Sequence, residues 1–254
     1  MKKILLGIAL SVVVLQGCKK DDDNDEETST IIIAETTDEQ NTWDDTSITK
    51  FLDEHYFDAK GNVVAFDDAI ETDNNEKKLS AYDVVKLNSG VVYVKREDSL
   101  QPNPGKTINT DDAITIMQNT TAYVAAKNIT TGNISLTSGL IFSNTITGSG
   151  VPIYDPAYYY VKKTVVDTYN TTNSTSYDKS FYQIEGFIEG LKNFKSFDLT
   201  DAADYNLQGV IIVPSRAAFA RDVHYPYNNS NWNNRTFVFN FQIYNTKTRA
   251  VAGD

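Results

Sequence analysis

The sequence predicts an α+β protein in which a mostly stranded chain forms a sheet that holds one short helix. Three stretches carry that prediction. Thr236 to Tyr244 alternates, with Phe237, Phe239, Phe241 and Ile243 on one face and Val238, Asn240 and Gln242 on the other. That is the period-two pattern of a strand with two unlike faces. Gly209 to Val213 is apolar throughout, as a strand covered on both faces is. Ile184, Phe187, Ile188, Leu191 and Phe194 recur at i, i+3, i+4, i+7 and i+10, one face of a short helix. Gly186 and Gly190 within it permit close backbone approach.

The chain opens with Lys2 and Lys3 and an apolar run from Ile4 to Leu15, shorter than a helix needs to span a bilayer. This is the layout of a secretory signal. Leu15-Gln16-Gly17-Cys18 then sets a small residue before the one Cys of the chain, and so resembles a bacterial lipobox. Residues 1–17 are expected to be removed, leaving Cys18 as a lipid-bearing N-terminus. The expected place is the outer membrane, facing the periplasm or the cell surface, with the lipid as the membrane contact. Residues 18–30 continue as an acidic, solvated tether. Asp21, Asp23 and Asp25 alternate like a calcium loop, but Glu26 stands where the turn Gly belongs.

Residues 31–86 read as a small N-terminal region. Ile31 to Ile33 suit an edge strand. Asp45-Thr46-Ser47 can cap a helix carrying Ile48, Phe51, Leu52 and Tyr56, which Gly61 ends. Val63 to Phe66 suits a strand, and residues 67–80 read as a loop.

Residues 87–250 read as the main domain. The turn Ser89-Gly90 leads into the β-formers Val91 to Val94, and Gln101 to Gly105 is a loop by composition. Ala113 to Met117 is a strand with Ile114 and Ile116 on one face, continued by Thr120 to Ala126. After the turn Thr131-Gly132-Asn133, a strand from Ile134 to Ile146 carries Leu140 and Phe142. Gly148-Ser149-Gly150 breaks it. Asp155-Pro156 is a helix-start signal, and Tyr158, Val161, Val165 and Tyr169 keep helical spacing after it. Residues 148–180 therefore read as an insertion with a helix in it.

Composition narrows the function classes. With 254 residues, 41% of them hydrophobic, the chain can bury a sizeable core. Its 15 Tyr and 12 Phe suit strands. A net charge of −11 argues against nucleic acid as a partner, since phosphate binding needs clustered Lys and Arg. One Cys allows no intrachain disulfide, and His55 and His224 form no ligand-spaced cluster, so neither metal nor cofactor is expected.

Six motifs follow one another in order: Ser89-Gly-Val-Val-Tyr93, Pro104-Gly-Lys106, Asp112-Ala-Ile-Thr-Ile116, Ile184-Glu-Gly-Phe-Ile-Glu-Gly190, Val210-Ile-Ile-Val-Pro-Ser215 and Phe237-Val-Phe-Asn-Phe241. Together they resemble FKBP-type peptidyl-prolyl cis-trans isomerases over residues 87–245, most closely over 183–245. The resemblance implies a bent antiparallel sheet wrapped on one short helix, with an apolar hollow between them for a prolyl side chain. It implies that the backbone N–H of Ile184 holds the substrate carbonyl. Phe187 stands for the family's pocket-floor Trp, Phe219 for a Tyr, and Phe239 for a wall Phe. Ala220 takes the place of a turn Gly, and Met117 that of a Tyr on the second strand. The family's Phe-Asp pair falls either on Phe142-Ser143, which lacks the acid, or on Tyr177-Asp178, which follows the inserted segment. Hairpin logic favours Phe142.

The implied activity is prolyl isomerisation of proline-containing envelope or surface proteins. Rotation about an X–Pro bond crosses a barrier of ~18–20 kcal/mol, and a dry aromatic pocket favours the twisted, less polar amide without nucleophile, base or metal. The missing Trp and Tyr groups leave an alternative open. The chain could instead be a non-catalytic surface lipoprotein that binds a peptide, a glycan or a partner protein through a degenerate FKBP-like pocket.

Overall fold

The structure, a computed structural model, describes residues 31–250. Cys18, the signal segment and the acidic tether lie outside the described residues. The fold is mixed, a mostly antiparallel sheet with three helices. In chain order the elements are β1 (Ile31–Ile33), α1 (Thr37–Glu54), β2 (His55–Phe57), β3 (Val63–Ala65), β4 (Val84–Lys86), β5 (Val92–Lys95), β6 (Lys106–Thr107), β7 (Asp112–Asn128), β8 (Ile134–Asn144) and β9 (Ile153–Tyr154). Then follow α2 (Lys163–Asn173), α3 (Glu185–Leu191), β10 (Lys195–Ser196), β11 (Gly209–Val213) and β12 (Arg235–Thr248). The main sheet runs β1-β7-β12-β11-β5-β4, and β8 and β9 also pair with β7. The small pairs β2-β3 and β6-β10 lie outside it.

β12 lies inside the sheet, between β7 and β11, with Phe239 opposite Thr120 on one side and Ile211 on the other. Alternation sorts its side chains between two cores. Phe237, Phe239, Phe241 and Ile243 join Ile114, Ile116, Ile211 and Val213 under α3. Val238 turns the other way and joins Val92, Val94, Val210 and Ile212 beneath Ile48, Phe51 and Leu52 of α1. β11 is apolar throughout because helices cover both of its faces. α3 rests very close to it. A Cβ on Gly186 would come 2.5 Å from Cγ1 of Val213, and one on Gly190 would come 2.7 Å from Cγ2 of Ile211.

α1 begins earlier than Asp45-Thr46-Ser47 suggest. Thr36 is the N-cap, and its hydroxyl accepts the Glu39 N–H at 3.1 Å. The longer helix buries Gln40, Trp43, Asp44 and Ser47 along with the apolar stripe. It also ends earlier than Gly61. Tyr56 belongs to β2, and Gly61 lies in the turn between β2 and β3. Asp44 is fully buried and joins α1 to the far part of the chain. Its carboxylate accepts the Ser215 N–H at 2.8 Å, the Ser215 hydroxyl at 2.5 Å, the Gln40 amide at 2.8 Å and the Thr236 hydroxyl at 3.2 Å.

The helix expected from Asp155-Pro156 does not form there. Asp155 takes a left-handed φ of 45°, and α2 starts only at Lys163. Residues between them include Tyr158, Tyr159 and Val161, all buried, and a regular helix would turn some of these side chains out to water. Burial wins over the local start signal. Asp155 is held by a two-pronged ion pair with Arg249, at 2.5 and 2.9 Å. Phe194 lies beyond the end of α3 but still packs into the core beneath it.

Candidate functional site

The five residues Phe142, Ile184, Phe187, Phe219 and Phe239 are brought into one buried cluster. β8 supplies Phe142 and β12 supplies Phe239. Ile184 caps the N-terminus of α3, Phe187 sits one turn along it, and Phe219 follows the turn at the end of β11. Phe187 and Phe239 stack with ring centres 4.3 Å apart, and Phe142 meets Phe237 edge-on at 5.1 Å. Ala220 holds a φ of 48°, the left-handed conformation in which glycine is at ease.

The structure does not bring Tyr177 and Asp178 to that cluster. Tyr177 stacks in parallel on Phe181 at 4.2 Å, in a separate group with Tyr169, Tyr182 and Tyr225. Asp178 is exposed and accepts the Ser180 N–H at 2.9 Å, the bond that caps the next turn. Met117 packs elsewhere too, against Leu207 and Tyr244.

The space between these five residues is occupied. Tyr158, from the segment before α2, puts its ring 5.4 Å from Phe142, 5.7 Å from Phe187 and 5.8 Å from Phe239. Its backbone carbonyl accepts the Ile184 N–H at 2.8 Å. Its hydroxyl meets the side-chain amide of Gln118, which also donates to Ser143 at 3.0 Å. Burial pushes the Tyr158 phenol far above its ordinary pKa, so it stays neutral. Trp232 and Tyr227 close the cluster beside Phe142, at 5.1 and 5.3 Å. The Trp232 indole donates to the Tyr227 carbonyl at 2.8 Å, and the Tyr227 hydroxyl to the Tyr182 carbonyl at 2.7 Å. The result is a buried aromatic core in which the Gln118, Tyr227 and Trp232 donors are paired from within.

Neither histidine offers chemistry to this cluster. His224 stacks on Phe219 at 4.4 Å, with Nδ1 2.9 Å from the Tyr225 carbonyl and Nε2 3.1 Å from the Trp232 N–H. His55 stacks on Phe51 at 3.7 Å, and burial lowers its pKa. Among the described residues, no three His, Cys, Asp or Glu side chains are grouped to hold a metal ion. Likewise, no helix among them is long and apolar enough to cross a membrane.

The residue that sequence reasoning missed is Tyr158. A signal for it exists. Tyr158, Tyr159 and Tyr160 are consecutive, and three consecutive bulky side chains cannot share one face of a helix. That run speaks against the helix that Asp155-Pro156 promises.

No family model matches the chain, and no curated protein matches it. Solved structures similar to it include FkpA from Escherichia coli, with 19% identity and a TM-score of 0.35 over 70% of this chain and 55% of that one. The chain thus spans about half the length of FkpA. Another is a peptidyl-prolyl cis-trans isomerase from Pseudomonas syringae pv. tomato, with 12% identity and a TM-score of 0.32 over 65% of this chain and 80% of that one.

Proposed function

We propose that this chain is an FKBP-like protein whose prolyl hollow is filled by its own Tyr158, so that it isomerises no prolyl peptide. The observation behind this reading is the double occupancy by one residue. The Tyr158 ring takes the space between Phe142, Phe187 and Phe239, and the Tyr158 carbonyl takes the Ile184 N–H. Those are the two features that the resemblance assigns to a bound prolyl peptide. An isomerase lowers its barrier only through interactions made to the twisted amide, and a substrate that cannot enter receives none. The order of the six motifs, and the meeting of Phe142, Ile184, Phe187, Phe219 and Phe239 beside a short helix on an antiparallel sheet, support the FKBP-like half of the reading.

Exchange spectroscopy on a short Xaa-Pro peptide tests it. The expected result is no acceleration over the spontaneous process, which takes tens of seconds or longer. Acceleration by the wild-type chain overturns the reading and restores the isomerase.

The same proposal places the protein on the outer membrane through a lipid on Cys18, with the acidic stretch 18–30 as the tether. Cells fed an alkyne-tagged fatty acid are expected to label the wild-type chain and not Cys18→Ser. Equal labelling of both, or of neither, removes the anchor from the proposal.

A further inference from the structure

Away from the filled hollow, the exposed flank of α3 borders an open cleft of about 280 Å³. This is close to the ~300 Å³ at which small-molecule sites begin, room for one ring and not for a chain. Its apolar wall is Ile188 of α3 with the ring of Tyr160. Tyr160 is held in place by Arg249, whose guanidinium lies 3.4 Å from the ring centre and is paired with Asp155.

The polar groups fall into two sets. Asn109 and Gln183 have their amide nitrogens committed, to Asp112 at 3.0 Å and to the Tyr159 carbonyl at 2.9 Å. What each has left for a ligand is its acceptor oxygen and the second N–H of its amide. The exposed carboxylate of Asp111 adds more acceptors. Lys179 and Lys192 supply the opposite chemistry, two ammonium groups in a protein of net charge −11. A matching ligand therefore both donates and accepts hydrogen bonds, carries a negative charge and presents C–H groups to Ile188 and the Tyr160 ring.

We infer that this cleft binds a uronic acid, a six-membered sugar ring bearing a carboxylate. Its hydroxyls donate to Asn109, Gln183 and Asp111. Its carboxylate faces Lys179 and Lys192. Its C–H face lies on the apolar wall. This inference is independent of the state of the hollow, since none of its residues belongs to the Tyr158 contacts.

Amide chemical shifts of the ¹⁵N-labelled chain, titrated with sodium D-galacturonate, test it. Saturable shifts are expected at residues 109–111, 183 and 192, with a Kd on the order of 1 mM, a value fitting a single ring. D-Galactose, which lacks the carboxylate, is expected to bind at least roughly tenfold more weakly. Lys192→Glu changes an exposed side chain and is expected to weaken galacturonate by a similar factor while the far-UV circular dichroism stays unchanged. Three results overturn the inference: no saturable shift, galactose binding as tightly as galacturonate, or affinity unaltered in Lys192→Glu. Shifts of the same size with the zwitterion alanine also overturn it, because they would show charge pairing without sugar recognition.

Discussion

Tyr158→Ala is expected to cost about 4 kcal/mol of folding stability, the scale of emptying a large aromatic site in a packed core. The ring touches Phe142, Phe187 and Phe239 at once, and no neighbour stands free to collapse into its place, because Trp232 and Tyr227 are already tied by their own hydrogen bonds. Urea denaturation measures the loss. Tyr158→Phe separates the ring from the hydroxyl. It is expected to cost only about 1 kcal/mol, since the Gln118 amide keeps its bond to Ser143. The cavity left by Tyr158→Ala matches phenol, the part of the side chain that alanine lacks. Phenol is expected to raise the midpoint of the variant by mass action and to leave the wild type unmoved. The Ile184 N–H stays bonded in the variant, because the carbonyl it meets is backbone and survives the substitution. Emptying the ring site alone is therefore not expected to create an isomerase. A loss below about 1 kcal/mol for Tyr158→Ala would show that the segment before α2 is an ornament of the fold and not its filling.

Asp44→Ala is expected to cost about 3 kcal/mol, because it strands the Ser215 N–H and hydroxyl, the Gln40 amide and the Thr236 hydroxyl in a buried place. Those donors lie on α1, at the end of β11 and at the start of β12, so the change loosens the attachment of the N-terminal helix. Asp44 also titrates in a characteristic direction. Burial raises its pKa, and the hydrogen bonds from Ser215, Gln40 and Thr236 offset only part of that. The folded chain therefore binds this proton more tightly than the unfolded chain. The favourable contribution is full below the unfolded carboxyl value of ~3.9 and is lost as pH rises through the raised folded value. Comparing wild type with Asp44→Asn across acid to neutral pH isolates this, since Asn has no proton to release. The wild type is expected to lose stability relative to the variant as pH rises through that window. A constant difference between the two would mean that Asp44 titrates as it does in the unfolded chain.

The parts of the fold legible in the sequence are those where burial is periodic. β12 showed its two faces because its side chains really do enter two different cores, and β11 was apolar throughout because α1 and α3 cover it on both sides. α3 was readable from its stripe and its two glycines. The starts of α1 and α2 were misread for a common reason. Asp45-Thr46-Ser47 and Asp155-Pro156 are sound local caps, but a cap decides about 1 kcal/mol, less than the burial of Trp43 in the one case and of Tyr158, Tyr159 and Val161 in the other.

By itself the sequence determined the periodic elements and the order of the motifs, since these follow from residue type and spacing along one stretch, while the set Phe142, Ile184, Phe187, Phe219 and Phe239 came only from the family resemblance that those motifs carry. Only the tertiary structure decided what lies among them. That is a matter of which distant segment reaches the hollow first, and Tyr158 does so from the same chain. Its ring finds apolar surface and its carbonyl finds the Ile184 N–H, without the loss of translational freedom that a separate peptide would suffer on binding.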